Sequence, residues 1–357
     1  MSGLPPDGPA RRYHPLWGLV AARLREFIRE PEAIFWVYIF PLCLMVALGV
    51  AFRNRPVETL RVAVVAAPGA SQIAAALSAD SRFRVQVQGA DEARLNLRTG
   101  RADLVIETPA GSAGQLEYTF DATRPESVLA RNAADDRLQR AAGRKDRIVA
   151  TDRPATEPGG RYIDFLVPGL IGMGLMGGGL WGVGYAIVDM RIRKLLKRYV
   201  ATPMPRSHFL ASVILSRLVF TIPETLLLLV CARLLFDVAC YGSYLVLLGL
   251  IVLGSLQFSG IGLLVASRAR TIEAVSGLMN AVMLPMYIGS GIFFSAERFP
   301  EAVQPALLLL PLTPLLNAMR RVMLEGAGLL SVAPEMAVVI LWAAATFVLA
   351  LRWFRWT

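Results

Sequence analysis

The chain has 357 residues, of which 55% are hydrophobic and 18% are charged, and its mean hydropathy is +0.51. These values exclude an ordinary soluble domain of this length and indicate a polytopic membrane protein. The net charge of +10 is spread over the flanks of apolar segments and one polar region, which is typical of loops that face anionic lipid headgroups. No nucleic-acid-reading motif accompanies it, so membrane lipids and not nucleic acid are the expected partners.

The N-terminal region, residues 1–32, is predicted to be cytoplasmic and to contain an amphipathic helix over residues 16–29. Its apolar stripe and its basic side are typical of a helix that lies along the membrane interface. The alternative is an ordinary amphipathic helix that packs on protein. Pro31 ends this helix, and the uncharged run 33–52 is long enough to form the first span.

Residues 53–161 form the one long polar region, and their pattern predicts a small α/β domain between the first and second spans. Short apolar or alternating runs predict strands, and the segments between them have helical periodicity. The predicted strands cover 60–66, 83–87, 102–107 and 115–120, and the predicted helices cover 71–78, 91–98 and 126–142.

The remaining residues, 162–357, are predicted to contain five further spans, for six in all. The second span, 163–188, holds eight glycines, and small residues allow helices to approach closely. We therefore predict helix packing or a dimer contact here, with a flexible or broken helix as the alternative. The later spans are predicted at 209–235, 244–266, 272–294 and 334–350, and the packing glycines are Gly174, Gly177, Gly178 and Gly182.

A strongly basic loop, residues 189–208, separates the second and third spans. Lys and Arg near span ends favour the cytoplasmic side, so this loop orients the chain. Six spans then place both termini in the cytoplasm and the α/β domain outside. Residues 295–332 carry four prolines around a short apolar run, which predicts a re-entrant helical hairpin on the outer side, before the last span.

No catalytic or metal-binding pattern is visible in the sequence. It contains no GxxxxGK[ST] phosphate loop, no GxSxG elbow and no clustered Cys and His, so neither an enzyme nor a metal site is expected. Within the spans, Glu224 is centrally placed, and Arg217 lies two helical turns before it on the same face. The pair is a candidate for a substrate path or gate, and a structural helix contact is the alternative.

Several segments along the chain resemble the membrane subunits of type-2 ABC transporters, in the exporter branch that has a large external domain after the first span. The resemblance is carried by Phe27–Trp36 with Phe40-Pro41 and by the loop segment 194–205. It is also carried by Gly100–Pro109 and Phe120–Glu126 in the polar region, and by Gly289–Phe294 and Pro311–Arg320 near the C-terminus.

The resemblance implies a permease that moves an amphiphile, such as a drug or a lipid, outward across the cell (inner) membrane. It implies two cytoplasmic ATPase subunits, which are separate chains and bind ATP and Mg. It also implies a second permease copy, in a homodimer or with a close homologue, and allows an envelope adaptor as a further partner. The alternatives are an ion-gradient-driven secondary transporter and a membrane-anchored receptor or scaffold. The ATPase-coupling residues expected in the loop are Arg191, Arg193, Lys194, Lys197, Arg198, Thr202 and Pro203.

Overall fold

A computed structural model describes residues 15–52, 59–109, 115–145, 160–201 and 205–354. The chain divides into two compact units. The first is helical and combines residues 1–53 with residues 156–357, and the second covers residues 54–155. Thr202 and Pro203 of the predicted coupling loop lie outside the described residues.

Among its described residues, the helical unit contains six apolar helices of at least 18 residues, as many as the predicted spans. The first is α2, Pro31–Ala51, which follows the N-terminal helix α1, Pro15–Ile28. The others are α6 (Tyr162–Ile192), α8 (Arg206–Phe236), α9 (Tyr244–Ala266), α10 (Ile272–Gly289) and α13 (Ala333–Trp353). The short helix α7, Leu195–Val200, lies in the basic loop between α6 and α8.

Span α10 is shorter than the sequence predicted, because it ends at Gly289 and not at Phe294. Gly291 has φ +86°, a left-handed conformation that glycine adopts at no steric cost and that stops the helix. Span α6, in contrast, stays helical through Pro168 and its glycines, with a π-helical segment at Leu180–Tyr185.

The core of the helical unit forms where α6 packs against α9. These two spans are the most buried of the six, and in each of the other four less than a third of the most apolar stretch is buried. Gly179 of α6 lies against the backbone of Phe258, and Gly184 lies against the backbone of Gly262. A side chain at any of these glycines would push the two backbones apart, so close approach explains part of the glycine content of α6.

Helix α1 packs on protein along part of its surface. Phe27 stacks on Phe220 of α8 with ring centroids 4.2 Å apart, and Arg23 donates a hydrogen bond to the sulfur of Met190 at 3.2 Å. Trp17 and Ile28 on the same helix are largely exposed. The helix therefore has both a protein-facing side and free apolar side chains.

Two helices occupy the predicted hairpin region, α11 at Gln304–Leu308 and α12 at Leu312–Glu325. Helix α12 is buried along most of its length, whereas α11 has no buried residue. Arg320 of α12 donates a hydrogen bond to the carbonyl of Gly291, and its guanidinium lies 3.7 Å from the ring centroid of Phe165. This arginine thereby joins the two C-terminal segments that carried the family resemblance.

The second unit is a four-stranded sheet with three helices. The strands are β1 (Leu60–Val65), β2 (Phe83–Gln88), β3 (Leu104–Glu107) and β4 (Glu117–Thr119), in the order β2-β1-β3-β4. Strands β1, β2 and β3 are parallel and β4 is antiparallel to β3. The helices are α3 (Ala70–Ser78), α4 (Ala90–Arg98) and α5 (Pro125–Ala141), which follow the predicted order closely.

A buried carboxylate joins the strands of this unit to its last helix. Asp103, just before β3, accepts two hydrogen bonds from the Arg61 side chain and one from the Arg61 backbone, at 2.8–3.0 Å. It accepts a fourth from Arg124, just before α5, at 3.1 Å. The hydrogen bonds to Asp103 raise the pKa of Arg61. We call Asp103, Arg61 and Arg124 the strand clasp, and it links the two polar-region segments that carried the resemblance.

Candidate functional site

A cavity of about 990 Å³ opens inside the helical unit. Its walls come from α1, α2, α6, α8 and α10, so four of the six spans contribute to it. Drug-sized ligands commonly occupy pockets of up to about 1,000 Å³. The six intramembrane residues predicted from the sequence all line it: Gly174, Gly177, Gly178, Gly182, Arg217 and Glu224.

Arg217 and Glu224 form an ion pair on α8, with their side-chain nitrogen and oxygen 2.8 Å apart. They are seven residues apart, and two turns of an α-helix place such residues on one face. Their side chains are only 6% and 9% exposed. The same guanidinium donates to the backbone carbonyl of Gly174 on α6 at 3.1 Å, so the pair also connects two spans.

Two of the predicted glycines make room for this pair. A Cβ atom at Gly178 would overlap the guanidinium of Arg217, and one at Gly174 would overlap the carboxylate of Glu224. Gly177 has no described atom within 4 Å of such a Cβ, and Gly182 has only the Arg217 stem, at 3.5 Å. Helix packing therefore uses Gly179 and Gly184, while Gly174 and Gly178 admit charged groups beside the cavity.

A buried ion pair is expensive, because the loss of hydration can exceed the attraction between the charges. The cost is offset only when hydrogen bonds satisfy the remaining donors and acceptors. Here the Nε of Arg217 is buried and has no hydrogen-bond acceptor among the described residues. The pair is therefore incompletely satisfied at the wall of an open cavity.

Aromatic and acidic side chains that are not among the predicted site residues complete the cavity lining. Tyr38 of α2 does not line the cavity, but it donates a hydrogen bond at 3.3 Å to the carbonyl of Phe220, which does. Aromatic residues at the start of a span are typical of an interfacial belt, so their spacing in the sequence does not by itself indicate a cavity. The remaining lining residues used below are Glu26, Glu30, Glu32, Trp36, Trp181 and Asp189.

The described coupling residues differ in their surroundings. Arg191 is half-buried and donates to the carbonyls of Ala266 and Ala269, each at 2.7 Å, so it fixes the turn after α9. Arg193 is exposed and pairs with Asp189 at 2.9 Å, and the hydrogen bond to that carboxylate raises the pKa of Arg193. Lys194, Lys197 and Arg198 are exposed, and Lys194 has φ 60° at the start of α7.

In the described residues, six apolar helices are long enough to span a membrane and four of them line a cavity with a buried ion pair, which defines the class of polytopic membrane proteins. The chain belongs to the ABC-2 family of transporter proteins, whose pattern it matches over residues 31–352. It is thus a transport subunit and not itself an enzyme, and the ATPase of such a transporter is a separate subunit.

The chain is also similar in sequence to two individual proteins of the same name. The chain is 25% identical over 290 residues to the "Inner membrane transport permease YhhJ" of Escherichia coli (strain K12). The match covers 75% of this chain and 77% of that protein, and the same values hold for the protein of that name from Shigella flexneri.

Proposed function

We propose that the chain is the permease subunit of an ATP-driven exporter that moves an amphiphile outward across the inner membrane. Two copies would pair with two ATPase subunits, which bind ATP and Mg. The family match and the similarity to an inner membrane transport permease support this assignment. Both termini are proposed to be cytoplasmic and the α/β unit extracytoplasmic.

The cavity is the observation that carries the proposal. It lies between spans, is mostly apolar in lining, and has the Arg217–Glu224 pair in its wall. An amphiphile needs such a combination, since its apolar part requires a water-poor surface and its polar part requires a partner. Ionisable residues within a membrane span are costly and are candidates for a functional site.

The loop around α7 is the proposed contact with the ATPase. Four basic residues there, Arg193, Lys194, Lys197 and Arg198, are exposed, and the segment directly follows α6, which lines the cavity. A push on α7 would therefore reach the cavity wall along one continuous chain segment. Nucleotide-driven closure of the ATPases would bias the spans between two states.

The test is transport by the full complex in inside-out membrane vesicles. The chain is co-expressed with its ATPase partner, and accumulation of a fluorescent amphiphile is followed with ATP and with a non-hydrolysable analogue. We expect accumulation only with hydrolysable ATP. Reversing the charge at Arg193, Lys194 and Arg198 together should abolish it while the permease stays folded, because these side chains are exposed.

A matched control reverses Arg101, an exposed arginine of the α/β unit, and should leave accumulation intact. Accumulation driven by an ion gradient without ATP would contradict the proposal and favour a secondary transporter. ATP hydrolysis by the purified permease alone would contradict it as well.

A further inference from the structure

The lining of the cavity is acidic, although the whole chain is strongly basic. Five carboxylates line it, from Glu26, Glu30, Glu32, Asp189 and Glu224, against the guanidinium groups of Arg23 and Arg217. The cavity thus carries three more negative than positive groups in a chain whose net charge is +10. A cleft lined by one sign of charge concentrates solutes of the opposite sign.

Two of these carboxylates hold uncompensated charge at one end of the cavity. Glu26 pairs with Arg23 at 3.0 Å, and Asp189 pairs with Arg193. Glu30 and Glu32, at the start of α2, are exposed and form no ion pair within the described parts of the chain. They are the groups that a positive charge would meet first.

Aromatic rings line the cavity next to that acidic end. Trp36 lies one helical turn after Glu32 and contacts Phe40, with ring centroids 5.1 Å apart. Trp181 of α6 contacts Tyr185 with centroids 5.7 Å apart. The two tryptophans line the same cavity, and the faces of such rings attract cations and pack against flat apolar groups.

The far end of the cavity is bounded by the Arg217–Glu224 pair, which lines its wall. The Nε of Arg217 is buried against Gly178 and has no acceptor in the described part of the protein. Along α6, the distance from Asp189 at the acidic end to Gly174 beside Arg217 is about 20 Å, which is long enough for an extended amphiphile.

We propose that the cavity selects an amphiphilic organic cation. Its positive group lies at Glu30 and Glu32, and its aromatic body lies between Trp36 and Trp181. This inference rests on the proposed function in one respect, namely that the bound cation is the transported solute. Binding of the cation to the cavity does not require the ATPase. An anionic amphiphile is disfavoured by the excess of carboxylates.

The experiment measures binding to the purified full chain in nanodiscs of neutral lipid, without any ATPase. The probe is rhodamine 6G, an amphiphilic cation, followed by fluorescence anisotropy, and the comparison is its hydrolysed, zwitterionic form with the same ring system. We expect the cation to bind about tenfold more tightly. In the Glu30→Gln/Glu32→Gln variant, cation affinity should fall about fivefold, since each exposed pair contributes a modest amount.

Glu273→Gln is the matched control, because Glu273 is an exposed glutamate at the start of span α10 that does not line the cavity. It should leave the affinity for rhodamine 6G unchanged. Trp36→Leu should weaken binding of both the cation and the zwitterion, because it removes the ring that both would contact.

Equal affinities for the cation and the zwitterion would overturn the inference, as would unchanged cation binding in the double variant. Loss of ATPase assembly in that variant with intact cation selectivity would assign the two glutamates to docking, and would also overturn it. Charge-selective binding without ATP-dependent transport would support the inference about the cation and refute the proposed function. ATP-dependent transport without charge selectivity would support the proposed function and refute the inference about the cation.

Discussion

The two units of the protein solve the problem of a buried acid in opposite ways. In the α/β unit, Asp103 is buried and receives four hydrogen bonds, from two arginines that remain partly exposed to water. In the helical unit, Glu224 and its partner Arg217 are both buried. Arg217 also retains a donor without an acceptor among the described residues. A buried carboxylate that pairs with arginine is thus well satisfied in one unit, whereas in the other its arginine partner is only partly satisfied.

Under the proposed function, the difference separates a structural contact from one that serves transport. The carboxylate of the strand clasp accepts four hydrogen bonds and thereby joins β1, β3 and α5. A well-satisfied buried polar network of this kind makes a local structure more rigid. The Arg217–Glu224 pair lies in the wall of a cavity, where an apolar pair of similar size would pack at lower cost. We propose that function accounts for this cost, because a transported solute or a gating movement would use the charged pair.

Removal of Glu224 should produce the largest effect. Glu224→Ala leaves Arg217 charged and unpaired at a buried position, and we expect a loss of stability of about 3 to 5 kcal/mol. The melting temperature of the detergent-purified protein measures it, and transport should be lost as well.

A double variant then distinguishes structure from function at this pair. Arg217→Met/Glu224→Met removes both charges, so stability should return to near that of the natural protein. Transport should stay absent if the pair serves the solute. Normal transport in the double variant would show that the pair is only a structural contact between α6 and α8.

Asp103→Asn should produce the next largest effect, confined to the α/β unit. The amide keeps the shape but cannot accept all four hydrogen bonds, and charge-assisted bonds contribute about 1.5 to 3 kcal/mol. We expect faster hydrogen exchange in β1 and β3 of the full-length protein, with unchanged exchange in α6 and α9. Equal acceleration in the spans would contradict the view that the clasp acts locally.

The order of elements could be predicted from the sequence because the signals are local. Uncharged runs of about 20 residues determine span positions, and alternating or apolar runs determine strands. The end of α10 was predicted wrongly for a local reason of a different kind. The apolar residues continue to Phe294, and only the backbone conformation at Gly291 stops the helix.

The site was only partly predictable, because its completion depends on contacts between distant segments. The spacing of Arg217 and Glu224 on one helix indicated a pair, but not that Gly174 would accept from it. The glycine pattern likewise did not reveal which glycines contact helix backbones and which contact the charged pair. The acidic cavity lining combines residues from α1, α2, α6 and α8, and no sequence window contains them together.

Adjacent glycines offer a sharper test of moderate size. Gly178→Ala places a methyl group on the guanidinium of Arg217, which must shift, and we expect a loss of about 1 to 2 kcal/mol together with reduced transport. Gly177→Ala is the matched control, since its methyl group would meet no described atom within 4 Å. Equal effects of the two substitutions would indicate that general helix flexibility, and not the charge pair, sets the requirement for glycine.

The smallest effect is expected from substitution of an exposed ion pair, which gives a reference for the effects at the buried pairs. Asp80 binds the side chain and backbone of Arg82, and the hydrogen bonds from Arg82 lower the pKa of Asp80 to about 2. Because the folded-state pKa lies below the unfolded value, this contribution is present above about pH 4 and is lost as the pH falls toward about 2.

Asp80→Asn should therefore leave the melting temperature unchanged at neutral pH, because solvent screens an exposed pair. It should accelerate hydrogen exchange only at the amide of Arg82, which donates to the Asp80 carboxylate at 3.0 Å. Acidification of the natural protein should reproduce that local change once intrinsic exchange rates are corrected. A melting-temperature shift as large as that of Asp103→Asn would mean that exposure to solvent does not reduce the contribution of an ion pair to the stability of this fold. The contrast between the buried pairs of the two units would then lose its physical basis.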